Sequence, residues 1–375
     1  MKVNYKQLIF VGVLLSACSI RCISQAKLQA VKKVKNNKDT FRKEAFVGPQ
    51  SNNTYVVPTS QIINPAGKTI TFPGRPVDVA LNAQETILAV KNMSDVVFLN
   101  AKNQSIIQAL ELPKGGNTFK GIGWSSDDKK VWITDNRGFL RSAKMDERGL
   151  FAWDDTIMLP GTDKKSSYPG GLAIDKRTGL MYVSLNRNNT LGVVNLQTGK
   201  LEAQIPVGIA PYEVVIKNDK AYVSNWGGRL PKAGDMSAPS SGSMVVIDSK
   251  TGIASTGTVS VINLSDRKLI TEIPVQLHPC GMALSPNGSL LYVANANSDN
   301  VSVIDTKSDK VINTISSKPM DELPFGSAPN DVAVSPDGNT LYIADGADNL
   351  LAVIDLKTGK LKGLIPTGWY PGAVI

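Results

Sequence analysis

The sequence predicts an all-β chain, a seven-bladed β-propeller built from four-stranded blades. Three observations carry this reading. A short strand pattern recurs along the chain: Leu341-Tyr342-Ile343-Ala344-Asp345 and Leu291-Tyr292-Val293-Ala294-Asn295 are its clearest copies. Looser copies stand at Met181-Tyr182-Val183-Ser184, Ala221-Tyr222-Val223-Ser224-Asn225, Val131-Trp132-Ile133-Thr134-Asp135 and Leu88-Ala89-Val90-Lys91-Asn92. Counted at the second residue of each copy, the steps are 43, 50, 40, 70 and 50 residues, and a unit of about 40–50 residues is the size of one blade. Finally, nothing from residue 54 onward reads as a long amphipathic helix. The apolar runs are short, rich in β-branched and aromatic residues, and bounded by Pro, Gly, Asn and Asp.

The N-terminus comes first in the chain and is of a different kind. Two lysines precede an apolar run at residues 8–20, which is too short to span a bilayer and reads as an export signal over residues 1–26. Two cleavage sites compete. Ser24-Gln25-Ala26 offers small residues to an ordinary signal peptidase, while Leu15-Ser16-Ala17-Cys18 resembles a bacterial lipobox that would lipidate Cys18. Either way the protein is expected to be exported, periplasmic or membrane-anchored as a bacterial lipoprotein. A basic linker follows at residues 27–53.

This segment also explains the net charge of +9. Residues 1–43 carry ten Lys and Arg against Asp39 alone, so the rest of the chain is neutral. A nucleic-acid partner needs a basic excess on the folded face, and none is left there. Membrane contact is expected only through the lipid anchor, with the basic linker lying beside anionic headgroups or simply solvated.

Within the repeat, one unit explains the others. Pro329-Asn330-Asp331-Val332-Ala333-Val334 opens an inner strand and Pro336-Asp337-Gly338 turns the chain. Residues 341–344 form the second strand, Val353-Ile354-Asp355 the third, Lys357-Thr358-Gly359-Lys360 a turn, and residues 361–365 the outer strand. Such a sheet cannot hide both apolar faces alone, so neighbouring blades must stack. The 70-residue step holds a Gly/Ser/Pro-rich insertion at residues 230–243, a loop that would lean over the propeller mouth or dock a partner domain.

At the two ends, the pattern predicts a shared and incomplete last blade. Trp369-Tyr370-Pro371-Gly372-Ala373-Val374-Ile375 matches an inner-strand start with no second strand after it. Tyr55-Val56-Val57 and Lys68-Thr69-Ile70-Thr71-Phe72 read as third and fourth strands without a first. The propeller would thus occupy residues 54–375, with a C-terminus that reads as truncated because a stop there leaves an unpaired edge.

The chain has one His and three Cys. A multi-histidine metal centre and a Cys/His cluster are therefore excluded, and a Ser-His-Asp triad would have to use His278. If Cys18 is lipidated, Cys22 in the tether and Cys280 in the folded part remain, and no structural disulfide is expected. No G-x-S-x-G elbow and no phosphate loop is present.

Candidate ligand residues follow from the axis. Inner-strand starts place Asp78, Gly171, Glu213, Gly281 and Asp331 two positions after the Pro, and second-strand ends supply Asn92, Asp135, Asn225, Asn295 and Asp345. Carboxylates and amides converging there would suit a divalent cation such as calcium, although no cofactor is evident otherwise. The same residues serve equally well as turn caps and inter-blade bonds. His278, Trp226 and Arg229 complete the candidate set, and Cys280 reads as a small buried hydrophobe.

Tyr292-Val293-Ala294-Asn295 and Val301-Ser302-Val303-Ile304-Asp305 resemble the YVTN-repeat β-propeller family, over roughly residues 54–375. Asn225-Trp226-Gly227-Gly228-Arg229, the insertion and Leu277-His278-Pro279 are similar to an exported bacterial subfamily often fused to a C-terminal phosphoesterase of the alkaline-phosphatase superfamily. That resemblance implies an exported, non-catalytic binding or scaffold domain, the N-terminal part of a phosphoesterase-type protein, taking a protein domain or a small ligand on its face. A lactonase-like hydrolase with a metal in the funnel is the alternative. Fold alone decides neither.

Overall fold

The computed structural model describes residues 46–50, 54–162, 165–320 and 322–375. The export signal, Cys18 and nearly all of the basic linker lie outside them. Six antiparallel four-stranded blades follow one another along the chain. The first three are β4–β7 (Pro76–Leu81, Ile87–Asn92, Asp95–Asn100, Ile106–Glu111), β8–β11 (Asn117–Trp124, Lys130–Asp135, Phe139–Met145, Phe151–Met158) and β12–β15 (Pro169–Asp175, Leu180–Leu185, Thr190–Asn195, Lys200–Pro206). Blade 4 pairs β16 (Ile209–Lys217), β17 (Lys220–Gly228), β20 (Gly257–Asn263) and β21 (Lys268–Val275), with the hairpin β18–β19 (Ser237–Ser240, Ser243–Val246) inserted between its second and third strands. Blades 5 and 6 are β22–β25 (Pro279–Leu284, Leu290–Asn295, Asn300–Asp305, Lys310–Ser316) and β26–β29 (Pro329–Val334, Thr340–Asp345, Leu350–Asp355, Lys360–Pro366).

Burial along the strands explains why these residues form this architecture. Second strands such as β23 are buried on both faces after their first residue, so they read as unbroken apolar runs. Outer strands such as β15 alternate between exposed and covered positions, the period of a sheet with one wet face. The apolar faces meet between blades. Phe98 of blade 1 stacks on Phe151 of blade 2 with centroids 3.6 Å apart, Tyr182 and Leu191 of blade 3 pack on Val214 and Val223 of blade 4, and Tyr292 of blade 5 packs on Ile343 of blade 6. Fully burying one such side chain contributes about 1.5–3 kcal/mol, so every blade depends on its neighbours.

The seventh position of the ring is shared by the two ends of the described chain. A small sheet of β1 (Gly48–Pro49), β2 (Tyr55–Val56) and β3 (Ile62–Ile63) supplies one part. The C-terminal segment supplies the inner-strand position: Tyr370 takes φ +55°, like the residues before the proline in other blades, and Val374 N–H donates to Asp331 Oδ2 at 3.2 Å. Ala66 N–H donates to the Pro366 carbonyl at 2.9 Å and Asn349 Nδ2 donates to Gln61 Oε1 at 2.7 Å, tying the N-terminal part to blade 6. One expectation is corrected here. Residues 68–72 form no ladder strand; instead Ile70 and Phe72 pack on Val90, Val97 and Leu99 of blade 1. Their alternation suited a strand, but the sequence could not show that they would lie against a blade face.

Candidate functional site

Inner strands converge on the axis, and five of the seven inner-strand positions share a sharp entrance. Tyr168, Ala210, His278, Ala328 and Tyr370 each precede a proline and each adopts left-handed backbone, φ between 49° and 56°. A non-glycine residue pays about 1–2 kcal/mol for that conformation. Proline then fixes the next φ, and each strand starts down the axis in the same way.

Two positions later the strands present Asp78, Gly171, Glu213, Gly281 and Asp331. The structure brings the three carboxylates together around an ammonium that the repeat pattern did not reveal. Lys120 Nζ lies 3.0 Å from Asp331 Oδ2, 3.2 Å from Asp78 Oδ1 and 3.4 Å from Glu213 Oε1. Burial alone would lower the Lys120 pKa, but Asp331, Asp78 and Glu213 outweigh it and hold the group well above the usual lysine range. Burial pushes Glu213 up to about 8 and raises Asp331, with Lys120 opposing both. The glycines make room: a Cβ on Gly171 would lie 2.7 Å from Glu213 Cα, and one on Gly281 would overlap Asp331 Oδ1.

The carboxylates also staple the ring. Asp78 Oδ2 accepts from Gly121 N–H at 2.7 Å and Glu213 Oε2 from Met282 N–H at 3.0 Å, each from the inner strand of the next blade. Lys91 supports this plug from behind. Its Nζ is buried and donates to Thr118 Oγ1, Thr134 Oγ1 and the Lys120 carbonyl at 2.6–3.0 Å. Burial lowers its pKa to about 7, against the attraction of Asp78 and Asp135. Among the described residues no three His, Cys, Asp or Glu are grouped to hold a metal ion.

The second-strand ends do not join this cluster. Each is buried within its own blade: Asn225 Nδ2 donates to Ser260 Oγ and Thr258 Oγ1, Asn295 Nδ2 to Ser302 Oγ and Asn300 Oδ1, and Asn92 Nδ2 to Asp95 Oδ1. Asp135 accepts from Arg141 Nε at 2.7 Å. Asp345 is buried, and burial raises its pKa to about 8 against the opposing contact of the Ser317 hydroxyl. Arg229 is held by Asp235 at 2.6 and 3.0 Å inside the insertion and lines neither mouth cavity.

Above the plug lies an aromatic mouth. Trp226 stacks with Tyr212 at 4.4 Å and with His278 at 4.6 Å between ring centroids. A cavity of about 450 Å³ is lined by Phe119, Tyr168, Asn186, Arg187, Tyr212, Trp226 and Ser241 among others. A smaller one of about 200 Å³ shares Phe119, Tyr212 and Trp226 with it and adds Arg75, His278, Cys280 and Tyr370. The insertion builds one wall of the larger cavity. Ser241 sits at the tip of the β18–β19 hairpin, and Asn189 Nδ2 of blade 3 donates to Ser243 Oγ at 2.9 Å. No sequence signal pointed to Phe119, Tyr168 or Arg187, since the repeat does not share them.

His278 and Cys280 meet in the smaller cavity, Nδ1 to Sγ 3.3 Å. A catalytic pair would need a thiolate beside an imidazolium. Burial drives both groups the other way, the thiol up to about 12 and the imidazole down to about 4. Both are neutral near pH 7, and the pair packs the mouth.

The sequence matches no family model and no curated relative. Among solved structures it is similar to Kuenenia stuttgartiensis hydrazine synthase, at a TM-score of 0.63 and 15% identity over 82% of this chain and 91% of that one. At that identity the likeness shows the propeller fold and nothing finer.

Proposed function

We propose that this chain is a non-catalytic binding domain that takes a small ligand in the aromatic mouth between blades 2, 3 and 4. The carrying observation is the composite cavity, whose walls come from three blades and from a hairpin inserted in the fourth. Scaffold packing does not require Phe119 to stand 38% exposed at the rim, and apolar walls with a few polar groups are what small-ligand sites need. The reading favours binding over the lactonase-like alternative because an ammonium already stands among the axial carboxylates. Export and a place as the N-terminal part of a phosphoesterase-type protein are part of the same proposal, supported by the leader-like N-terminus and the subfamily resemblance.

A ligand-observed NMR screen of ring-containing fragments tests the mouth. The full chain is expected to give hits that weaken about tenfold in Phe119→Ala, on the scale of one lost aromatic contact. Replacing residues 237–246 by a short Gly-Ser link is expected to weaken the same hits. Hits indifferent to both changes would place binding elsewhere and defeat the proposal.

A further inference from the structure

We infer that the larger cavity selects a small ring-bearing anion, a carboxylate or phosphate group carried on an aromatic or sugar ring. This rests on the mouth being a ligand site and adds the chemistry it recognises. Volume limits the size first. About 450 Å³ lies toward the lower end of ligand cavities, which run from about 300 to 1,000 Å³, and suits a single substituted ring.

Charge then sets the sign. Among the described residues no Asp or Glu lines either mouth cavity, while Arg187 lines the larger and Arg75 the smaller. The acidic groups nearest the axis are engaged with Lys120 below. Among the described residues neither Arg75 nor Arg187 forms an ion pair. Arg75 rests over the Phe119 ring at 5.6 Å; Arg187 has no such contact, is half-buried, and lies beside Gly242 of the hairpin. A half-buried guanidinium without a carboxylate gains most from an oxyanion, which its fork of donors matches in a bidentate way.

The ring contacts come from the same wall. Phe119 and Tyr168 face the cavity beside Arg187, Tyr168 being set there by its left-handed backbone before Pro169. An aromatic or sugar ring laid on these side chains would direct its anionic substituent to Arg187 and leave Asn186 and Ser241 for its hydroxyls.

Isothermal titration of the full chain with four probes tests this: benzoate, phenyl phosphate, benzyl alcohol and inorganic phosphate. Benzoate or phenyl phosphate is expected to bind more tightly than benzyl alcohol and than inorganic phosphate, and whichever of the two binds tighter identifies the anion. Arg187→Ala is expected to weaken that probe about ten- to a hundredfold, the loss of one charge-assisted bond, with Arg187→Lys between. Benzyl alcohol binding equally well, with no effect of Arg187→Ala, would overturn the anion selection and leave the mouth as a site for neutral rings. Inorganic phosphate binding as tightly as phenyl phosphate would overturn the ring requirement. Failure of all four probes would overturn the inference, while the fragment hits at Phe119 would still stand or fall by themselves.

Discussion

Lys120→Met is expected to destabilise the protein by about 3–5 kcal/mol, the usual cost of removing one partner from a buried ion cluster. The Lys120 side chain is 8% exposed and touches carboxylates from blades 1, 4 and 6. Without it three buried carboxyl groups face one another with no cation between them. The pH dependence carries a definite sign. Carboxylates whose folded pKa lies above the unfolded value are stabilised by protonation, so the variant loses stability as pH rises toward and past 8. It recovers part of the loss near pH 5, where the group can take up protons. Urea denaturation of wild type and variant at pH 5 and pH 8 measures both effects. A variant within about 1 kcal/mol of wild type at pH 8 would show that the cluster is not a central clamp.

Asp345→Asn is expected to act in the opposite direction. Blades 1, 4 and 5 carry Asn92, Asn225 and Asn295 at this position, and blade 6 carries a buried carboxyl group whose nearest donor is the Ser317 hydroxyl. Its pKa is raised from 3.8 to about 8 by burial first, with Asp348 and Asp299 adding repulsion. The folded value exceeds the unfolded one, so the wild type loses stability steadily as pH rises from about 4 to about 8. At about 1.4 kcal/mol per pH unit the ceiling on that loss is about 6 kcal/mol. Asparagine imitates the protonated form at every pH. The gain should stay below the ceiling, because blade 6 offers Leu350 and Ala352 where blade 5 offers Asn300 and Ser302 to the amide. A stabilisation of about 1–3 kcal/mol at pH 8, vanishing near pH 4, is the expected result. Thermal unfolding across that range checks it, and a variant whose stability parallels wild type at every pH would refute a buried, protonated Asp345.

Most of the blade architecture was legible because its causes are local. Asp305 and Asp355 accept from the backbone of the turn residues that follow, as Asn and Asp do in any tight turn. The second strands announced themselves as apolar runs because stacking blades bury both of their faces. The site was legible only in part. Asp78, Glu213 and Asp331 share an offset from a proline, and the offset showed that they reach the axis. Lys120 was hidden because blade 2 begins with Asn117 in place of proline, and its ladder slips between Asn117 and Ile122. The spacing that located the acids therefore misses the base.

By itself, then, the sequence determined the blades, the sheet order within each, the shared seventh position and the three acids on the axis. Each of these follows from residues close together in the chain, where period and turn chemistry act. Tertiary structure alone decided that a lysine on an irregular strand neutralises those acids, that residues 68–72 pack without pairing, and that the insertion folds into a hairpin reaching blade 3. The physical reason is the ring closure. It brings side chains more than 200 positions apart, Lys120 and Asp331, within 3.0 Å, and no local pattern records which of them will meet.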